Sequence, residues 1–123
     1  VYHVLRLKDT EPEFLKKGSG GYHKGKEPNV SIDVLRQNWI DAEPIVYIGK
    51  ATELYKRIQQ YIKFGSGKDV GHYGGRYIWQ LADSDDLIVC WKCVEDSRSV
   101  EAVMIAEFKM NHEGKRPFAN LQD

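Results

Sequence analysis

The chain has 123 residues, of which 41% are hydrophobic and 29% are charged, and its 18 basic side chains balance its 18 acidic ones. This length predicts one compact domain over residues 1–123, and the composition excludes a largely disordered chain. No apolar run approaches the roughly 18 residues of a membrane span, and the first residues lack the apolar region of a signal peptide, so we expect a cytoplasmic protein.

The first element is predicted by alternating apolar and polar side chains in residues 1–7 (VYHVLRL), a pattern typical of a strand. Residues 9–43 break that pattern. Their glycine-rich and lysine-rich middle predicts an exposed, mobile loop, and Ser31 is placed to begin a short helix. A connection of this length is more often functional or disordered than structural, so we interpret residues 9–43 as an insertion.

Two strands and two helices are predicted in the remainder of the chain. A strand over residues 44–49 (PIVYIG) leads into a helix that begins near Thr52 and ends near Gly65. Residues 87–94 (LIVCWKCV) are the clearest strand, and a helix capped by Ser97 or Ser99 follows it. The segments between them are a glycine-rich loop at 68–76 and an apolar stretch at 77–82 that fits either a helix or a strand.

These elements in this order indicate an α+β domain, with a small central antiparallel three-stranded sheet flanked by helices. The cysteines of the third strand, Cys90 and Cys93, form a C-x-x-C spacing without a second Cys or His pair at zinc-site distance. We therefore interpret them as packing residues rather than as a metal or redox pair.

Charge is distributed unevenly along the chain. Residues 44–80 carry six basic and two acidic side chains, whereas residues 81–101 carry two basic and six acidic ones. A domain of this kind can present a basic face to phosphates while it stays neutral overall, although such asymmetry also occurs on surfaces that bind no polyanion.

The junction between the second strand and its helix concentrates functional side chains. Lys50 follows the strand, and Arg57 lies one helical turn before Tyr61 on the same helix face. A strand end, a glycine turn and a basic helix face can converge on one anionic group. Taken singly, each residue also has a simpler explanation, with Tyr47 as a core aromatic and Arg57 as a solvated helix residue.

Taken together, Tyr47-Ile48-Gly49-Lys50 followed by Arg57 and Tyr61 resembles the signature of the GIY-YIG nuclease family. Residues 1–3 (VYH) stand where the family has its first tyrosine motif, and Glu107 and Asn120 stand for its glutamate and asparagine. The insertion between the two tyrosine motifs resembles that of the larger members, which are restriction endonucleases or repair enzymes.

The resemblance implies hydrolysis of a DNA phosphodiester bond with Mg²⁺, or Mn²⁺ in its place. Tyr2 is the first candidate for the general base and Tyr47 would order the water or the phosphate, although the two roles can be exchanged. Lys50 and Arg57 would supply the positive charge that lowers a tyrosine pKa by the roughly two to three units this role needs. Tyr61 would complete the catalytic residues.

The metal ligand implied by the resemblance is Glu107, and Glu101 is the other candidate on the last helix. Glu107 shares a predicted apolar face with Val100, Val103 and Met104, so we expect that face to turn toward the sheet. Glu101 lies off that stripe and is expected to be a solvated surface carboxylate.

Four side chains are candidates for DNA contact, because flexible basic loops can follow the phosphate backbone. They are Lys24, His72, Arg76 and Asn120. For the loop residues, a solvated surface position is an equally good interpretation.

Two other functions stay open at this point. A nucleic-acid-binding module with the same fold but without catalysis is favoured by the degenerate first motif. A domain that binds protein partners through Trp39, Trp79 and the acidic residues 81–101 is the third. The sequence does not indicate an oligomeric state or the DNA target.

Overall fold

The computed structural model describes residues 1–123 as an α+β fold with a three-stranded antiparallel sheet flanked by helices, which confirms the predicted fold class. The strands are β1 (Tyr2–Leu5), β2 (Ile45–Gly49) and β3 (Ile88–Trp91). The α-helices are α1 (Ile32–Asn38), α2 (Leu54–Gly65) and α3 (Ser97–Asn111). Short 3₁₀ segments lie at His23–Gly25, Tyr73–Gln80 and Ser84–Asp86. None of the helices has the length and apolar character needed to cross a membrane.

β1 is the central strand of the sheet, and the strand order is β2-β1-β3. Tyr2 opposes Gly49 of β2 on one side and Trp91 of β3 on the other. The Tyr2 ring packs directly over Gly49, where a Cβ atom would overlap it. The first tyrosine motif is therefore fixed beside the end of the second one.

The two faces of the sheet pack against different helices, as the alternation of side chains along a strand requires. Tyr2, Val4 and Tyr47 belong to the main core with aromatic residues of α2 and of the Tyr73–Gln80 segment. Ile48 points the other way and packs with Ile105 and Phe108 of α3.

The insertion at residues 9–43 packs against the rest of the fold on both sides of its glycine-rich and lysine-rich middle, and most side chains of that middle, residues 16–29, are exposed as predicted. Leu35 is completely buried. The Gln80 side chain, which is 1% exposed, donates to the carbonyls of Leu15 and Val30 at 3.0 and 2.9 Å, and it accepts from Val30 N at 2.9 Å. These three bonds fasten the insertion to the Tyr73–Gln80 segment.

The tryptophans proposed for partner binding are engaged inside the protein. Trp79 is 7% exposed and packs over Gly65. Trp39 packs edge-on against Phe14 and Phe118, with ring centroids 5.8 and 5.1 Å away. Trp79 is therefore unavailable to a partner, whereas Trp39 is only partly covered.

Two local predictions in the second half of the chain are corrected. Cys90 of the edge strand β3 and Cys93, two residues beyond that strand, are exposed free thiols, so they are not packing residues. The cap of α3 is Asp96 and neither of the two serines, since its carboxylate accepts from Ser99 N at 3.1 Å.

Candidate active site

A cavity of about 840 Å³ opens where the end of β2, the start of α2 and the start of α3 meet. The charged and hydroxyl-bearing side chains that line it include Tyr47, Lys50, Thr52, Arg57, Arg76, Ser97, Arg98, Glu101 and Asp123. Four of these are basic and two are acidic. A cavity with this excess of positive charge suits an anionic ligand.

The strand-to-helix junction brings Tyr47, Lys50 and Arg57 to this one cavity. Tyr47 lies near the carboxyl end of β2, and Arg57 lies in the first turns of α2. The Arg57 guanidinium donates to the carbonyl of Gly71 and to Gln60 Oε1, the latter at 3.1 Å. These bonds hold the guanidinium across the loop that follows α2.

The two motif tyrosines occupy different depths. Tyr47 is on the cavity wall, whereas Tyr2 is 1% exposed and does not line the cavity. Tyr2 Oη lies 2.7 Å from His72 Nε2, and the Tyr2 and Tyr47 ring centroids are 5.9 Å apart. The arrangement therefore favours Tyr47, which lies toward solvent, as the candidate general base, with Tyr2 behind it.

Burial, and not positive charge, dominates the ionisation of both tyrosines. Burial raises the pKa of Tyr47, while the charge of Arg57 acts in the opposite direction. Burial also raises the pKa of Tyr2 well above its ordinary value. The prediction that Lys50 and Arg57 lower the tyrosine pKa is therefore wrong for the protein alone, because desolvation exceeds the effect of Arg57.

Tyr61 packs behind the cavity and not on its wall. It is 3% exposed, and its ring centroid lies 5.3 Å from that of His72 and 4.8 Å from that of Trp79. Burial raises its pKa. The contacts of Tyr61 are those of a packing residue that supports His72.

The two glutamates of α3 exchange the positions that the sequence predicted for them. Glu107 and Val103 are exposed, and the buried stripe of the helix consists of Ile105 and Phe108. Glu101 precedes Ile105 by four residues, so it shares that stripe, and it lines the cavity. The prediction that Glu107 faces the sheet is wrong because the helix is rotated relative to the predicted apolar face.

Glu101 is the side chain best placed to hold a divalent cation. Its side chain is 14% exposed, and Lys50 Nζ lies 3.4 Å from Glu101 Oε1. The other cavity carboxylate, Asp123, pairs with Lys109 at 2.8 Å. No group of three or more His, Cys, Asp or Glu side chains is close enough to form a metal site. One carboxylate with water molecules and substrate phosphate is nevertheless a common Mg²⁺ environment, so Glu101 fits this ion.

His72 is fully buried, so its predicted contact with DNA is wrong. Burial, assisted by the charge of Arg57, lowers the pKa of His72 to about 3. The imidazole is therefore neutral at physiological pH, and its partner is a tyrosine inside the protein.

Arg76 lines the cavity and is held by aromatic rings. Its guanidinium carbon lies 4.1 Å from the ring centroid of Tyr73 and 5.5 Å from that of Tyr77. Its Nε is buried and has no hydrogen-bond partner. Its Nη1 donates to the carbonyl of Tyr73 at 3.4 Å, and stacking on aromatic rings is compatible with contact between a guanidinium and a phosphate.

Asn120 fixes the backbone beside Tyr47. Its Oδ1 accepts from Ile48 N and its Nδ2 donates to Ile48 O, both at 2.9 Å. Both ends of the amide are thereby engaged with β2, at the edge that β1 does not cover. The structure thus gives Asn120 a positioning role, whereas the sequence indicated DNA contact.

Lys24 is exposed and lies outside the cavity lining, where its backbone N donates to Asp69 Oδ1 at 3.1 Å. A nearby lysine of the insertion connects this region to the cavity. Lys26 Nζ lies 5.7 Å from the ring centroid of Tyr73, the same ring on which Arg76 stacks. A line of basic groups therefore runs from the cavity toward the insertion.

Sequence reasoning set Glu101 aside and gave no indication of Arg98, and both line this cavity. Glu101 was assigned to the solvated surface, and its only signal was its spacing of seven residues from Phe108. Arg98 had no motif to indicate it, and it reaches the cavity because it lies in the first turn of α3.

Comparison with known proteins identifies no relative: no protein-family model matches the chain, and no curated protein or solved structure matches it significantly.

Proposed function

We propose that this chain is a metal-dependent endonuclease that hydrolyses DNA phosphodiester bonds, as its resemblance to the GIY-YIG nuclease family implies. The observation that supports the proposal best is the presence of Tyr47, Arg57 and Glu101 on the wall of one cavity. Phosphodiester hydrolysis needs a group that takes a proton from water, cations that balance the charge on the phosphate, and assistance to the leaving oxygen. These three side chains match those needs.

In this proposal Tyr47 is the general base, since it is the tyrosine that a water molecule in the cavity can reach. Arg57 and Arg76 bind the scissile phosphate and balance its charge. Glu101 holds the Mg²⁺ or Mn²⁺ ion. When bound, such an ion stabilises the negative charge that develops on the leaving oxygen. Lys50 balances the charge of Glu101 in the protein without metal.

The DNA strand would continue from the cavity along Arg76 and Tyr73 toward Lys26 and Lys24. Contacts of this kind bind the phosphate backbone and contribute little to sequence specificity. A cytoplasmic location is part of the proposal.

The test is incubation of the purified protein with supercoiled plasmid DNA and Mg²⁺, with Tyr47→Phe and EDTA as controls. We expect nicked and linear products from the wild-type protein and at least about 100-fold slower nicking from Tyr47→Phe, which lacks only the hydroxyl. Mobility-shift binding is measured in parallel. Binding without cleavage would identify the alternative, a catalytically inactive nucleic-acid-binding module. Absence of both would refute a role on DNA.

A further inference from the structure

A second cavity, of about 720 Å³, lies along α3 and adjoins the candidate active site. The residues that line both cavities are Lys50, Arg98, Glu101, Ile105 and Asp123. Beyond these shared residues, the second cavity follows the helix past Ala102 and Ala106 to Met110, and we call it the α3 groove. A ligand that extends from the candidate active site along α3 would therefore enter this groove.

The α3 groove has apolar side chains along the helix. Ile105 is 2% exposed, and the small side chains of Ala102 and Ala106 are exposed and leave space above the helix. Met110 is 84% exposed, more than any other large hydrophobic residue of the protein. A thioether side chain adapts its shape to a neighbour and makes favourable contacts with aromatic rings. The groove therefore offers an apolar surface that suits a flat ring.

Arg98 is the one basic side chain of the groove that has no partner inside the protein. Lys50 Nζ lies 3.4 Å from Glu101 Oε1, and Lys109 Nζ lies 2.8 Å from Asp123 Oδ2. The Arg98 guanidinium, by contrast, makes no hydrogen bond and no ion pair, and its side chain is exposed where the groove and the candidate active site adjoin. A guanidinium in this state can bind a phosphate through two parallel hydrogen bonds.

An unpaired nucleotide matches the groove better than a DNA duplex does. The outside of a duplex consists of sugars and phosphates, and phosphates placed against an apolar surface would lose water without gaining partners. The face of an unpaired base is apolar, and it is connected to a phosphate that can reach a cation beside the apolar surface. Sites for small ligands are typically clefts of roughly 300–1,000 Å³ with apolar walls and a few polar groups, and the α3 groove fits this description.

We propose that the α3 groove binds an unpaired nucleotide next to the scissile phosphate, with the base against Ala106 and Met110 and its phosphate on Arg98. This inference rests on the proposed function. The groove gives the DNA strand a path along α3, in addition to the path along Arg76 toward the insertion. Arg98 and Met110 bind the substrate and take no part in breaking the bond. Single-stranded DNA should therefore bind more tightly than a duplex of the same length.

The first test observes Met110 directly by NMR of protein labelled with carbon-13 in its methionine methyl groups. The protein has two methionines, and the other one, Met104, packs against the core cluster of Ile48, Ile105 and Phe108, so it is an internal control. Addition of a short oligothymidylate without metal should shift the Met110 methyl resonance through the ring current of a base and leave that of Met104 in place. A Met110 resonance that ignores the single strand, or that responds equally to a blunt duplex, would overturn the inference.

The second test fills or shortens the groove and measures DNA affinity without metal. Ala106→Leu should weaken binding of the single strand by about 10-fold and Met110→Ala by about 5-fold, while duplex binding changes by less than about 2-fold. Val103→Leu is the matched control, because Val103 is 56% exposed on the same helix and lies outside the groove. Wild-type binding of the single strand by folded Ala106→Leu would contradict the inference. If that variant does not fold, Met110→Ala decides.

Arg98→Ala tests the phosphate contact. It should lower the slope of log binding constant against log salt for the single strand by about one, whereas Lys92→Ala, at an exposed position outside both cavities, should leave the slope unchanged. An unchanged slope in Arg98→Ala would exclude this contact.

These outcomes are separate from those that test cleavage. A single strand that shifts Met110 but is not cut with Mg²⁺ would refute the endonuclease and leave the groove as a nucleotide site. Duplex nicking by wild-type protein whose Met110 resonance ignores the single strand would refute the groove and leave the endonuclease.

Discussion

Replacement of Glu101 by Gln is the sharpest test of how the cavity works, because it removes one charge and keeps the shape of the side chain. The substitution breaks the ion pair with Lys50, whose Nζ lies 3.4 Å from Glu101 Oε1. The lysine side chain is 46% exposed, so water screens the pair. Screened pairs contribute about 0–1 kcal/mol to the free energy of unfolding. The melting temperature should therefore fall by no more than about 5 °C.

The effect on cleavage should be far larger than the effect on stability. If Glu101 holds Mg²⁺, its amide variant would lose that ligand, and electrostatic assistance of the kind the ion would supply is worth about 100- to 1,000-fold in rate. Plasmid nicking over a Mg²⁺ titration measures this loss. DNA binding, measured without metal, should be largely retained, because basic side chains bind the phosphates.

Glu107→Gln is the matched control, since it makes the same chemical change on the same helix at an exposed position. It should nick DNA at the wild-type rate. Wild-type nicking by Glu101→Gln, or a large loss in Glu107→Gln alone, would refute the assignment of the metal to Glu101.

Three further outcomes are expected. Arg57→Ala should lose most cleavage in a nicking assay, while its free energy of unfolding should drop by only about 1 kcal/mol because of the missing hydrogen bonds. The control Lys56→Ala, at the exposed neighbouring position, should cleave at the wild-type rate. Combined Lys24→Ala and Lys26→Ala should lower the slope of log binding constant against log salt by about one to two, and an unchanged slope would exclude them as phosphate contacts. Burial holds the pKa of His72 at about 3, against an ordinary 6.5. As the pH falls, the His72 imidazole is therefore protonated in the unfolded state before it is protonated in the folded state. The free energy of unfolding by urea should thus decrease by up to about 1.4 kcal/mol per pH unit from about pH 6.5 downward, and a constant value between about pH 6.5 and 4.5 would contradict a buried neutral His72.

The elements that the sequence predicted correctly are those whose signal is local. β2 and α2 could be read from a short apolar run, a glycine turn and helical spacing, and these put Tyr47, Lys50 and Arg57 in one cavity. The buried face of α3 could not be predicted in this way. Residues 102–106 are five consecutive apolar residues, so they fit more than one buried face, and the tertiary contacts of Phe108 decide which face is buried.

The remaining errors concern contacts between distant parts of the chain. The glycines of the insertion suggested mobility, but Gly18 lies against the backbone of Trp79, where only a glycine fits. The bond between His72 and Tyr2 spans 70 residues, so no spacing rule indicates it. A histidine in a glycine-rich loop is usually exposed, and only the fold reveals that this loop returns beneath the sheet.

The central position of β1 also determines how fast the chain can fold. Hydrogen bonds link Val1 to Lys92, 91 residues later, and Tyr2 to His72, 70 residues later. Large loops must close before such contacts contribute any stability, and this slows folding relative to domains held together by local contacts. α2 depends on local contacts and can begin to form within microseconds. During synthesis on the ribosome, the sheet therefore stays incomplete until Trp91 has emerged, and the cavity stays incomplete until Asp123 has emerged.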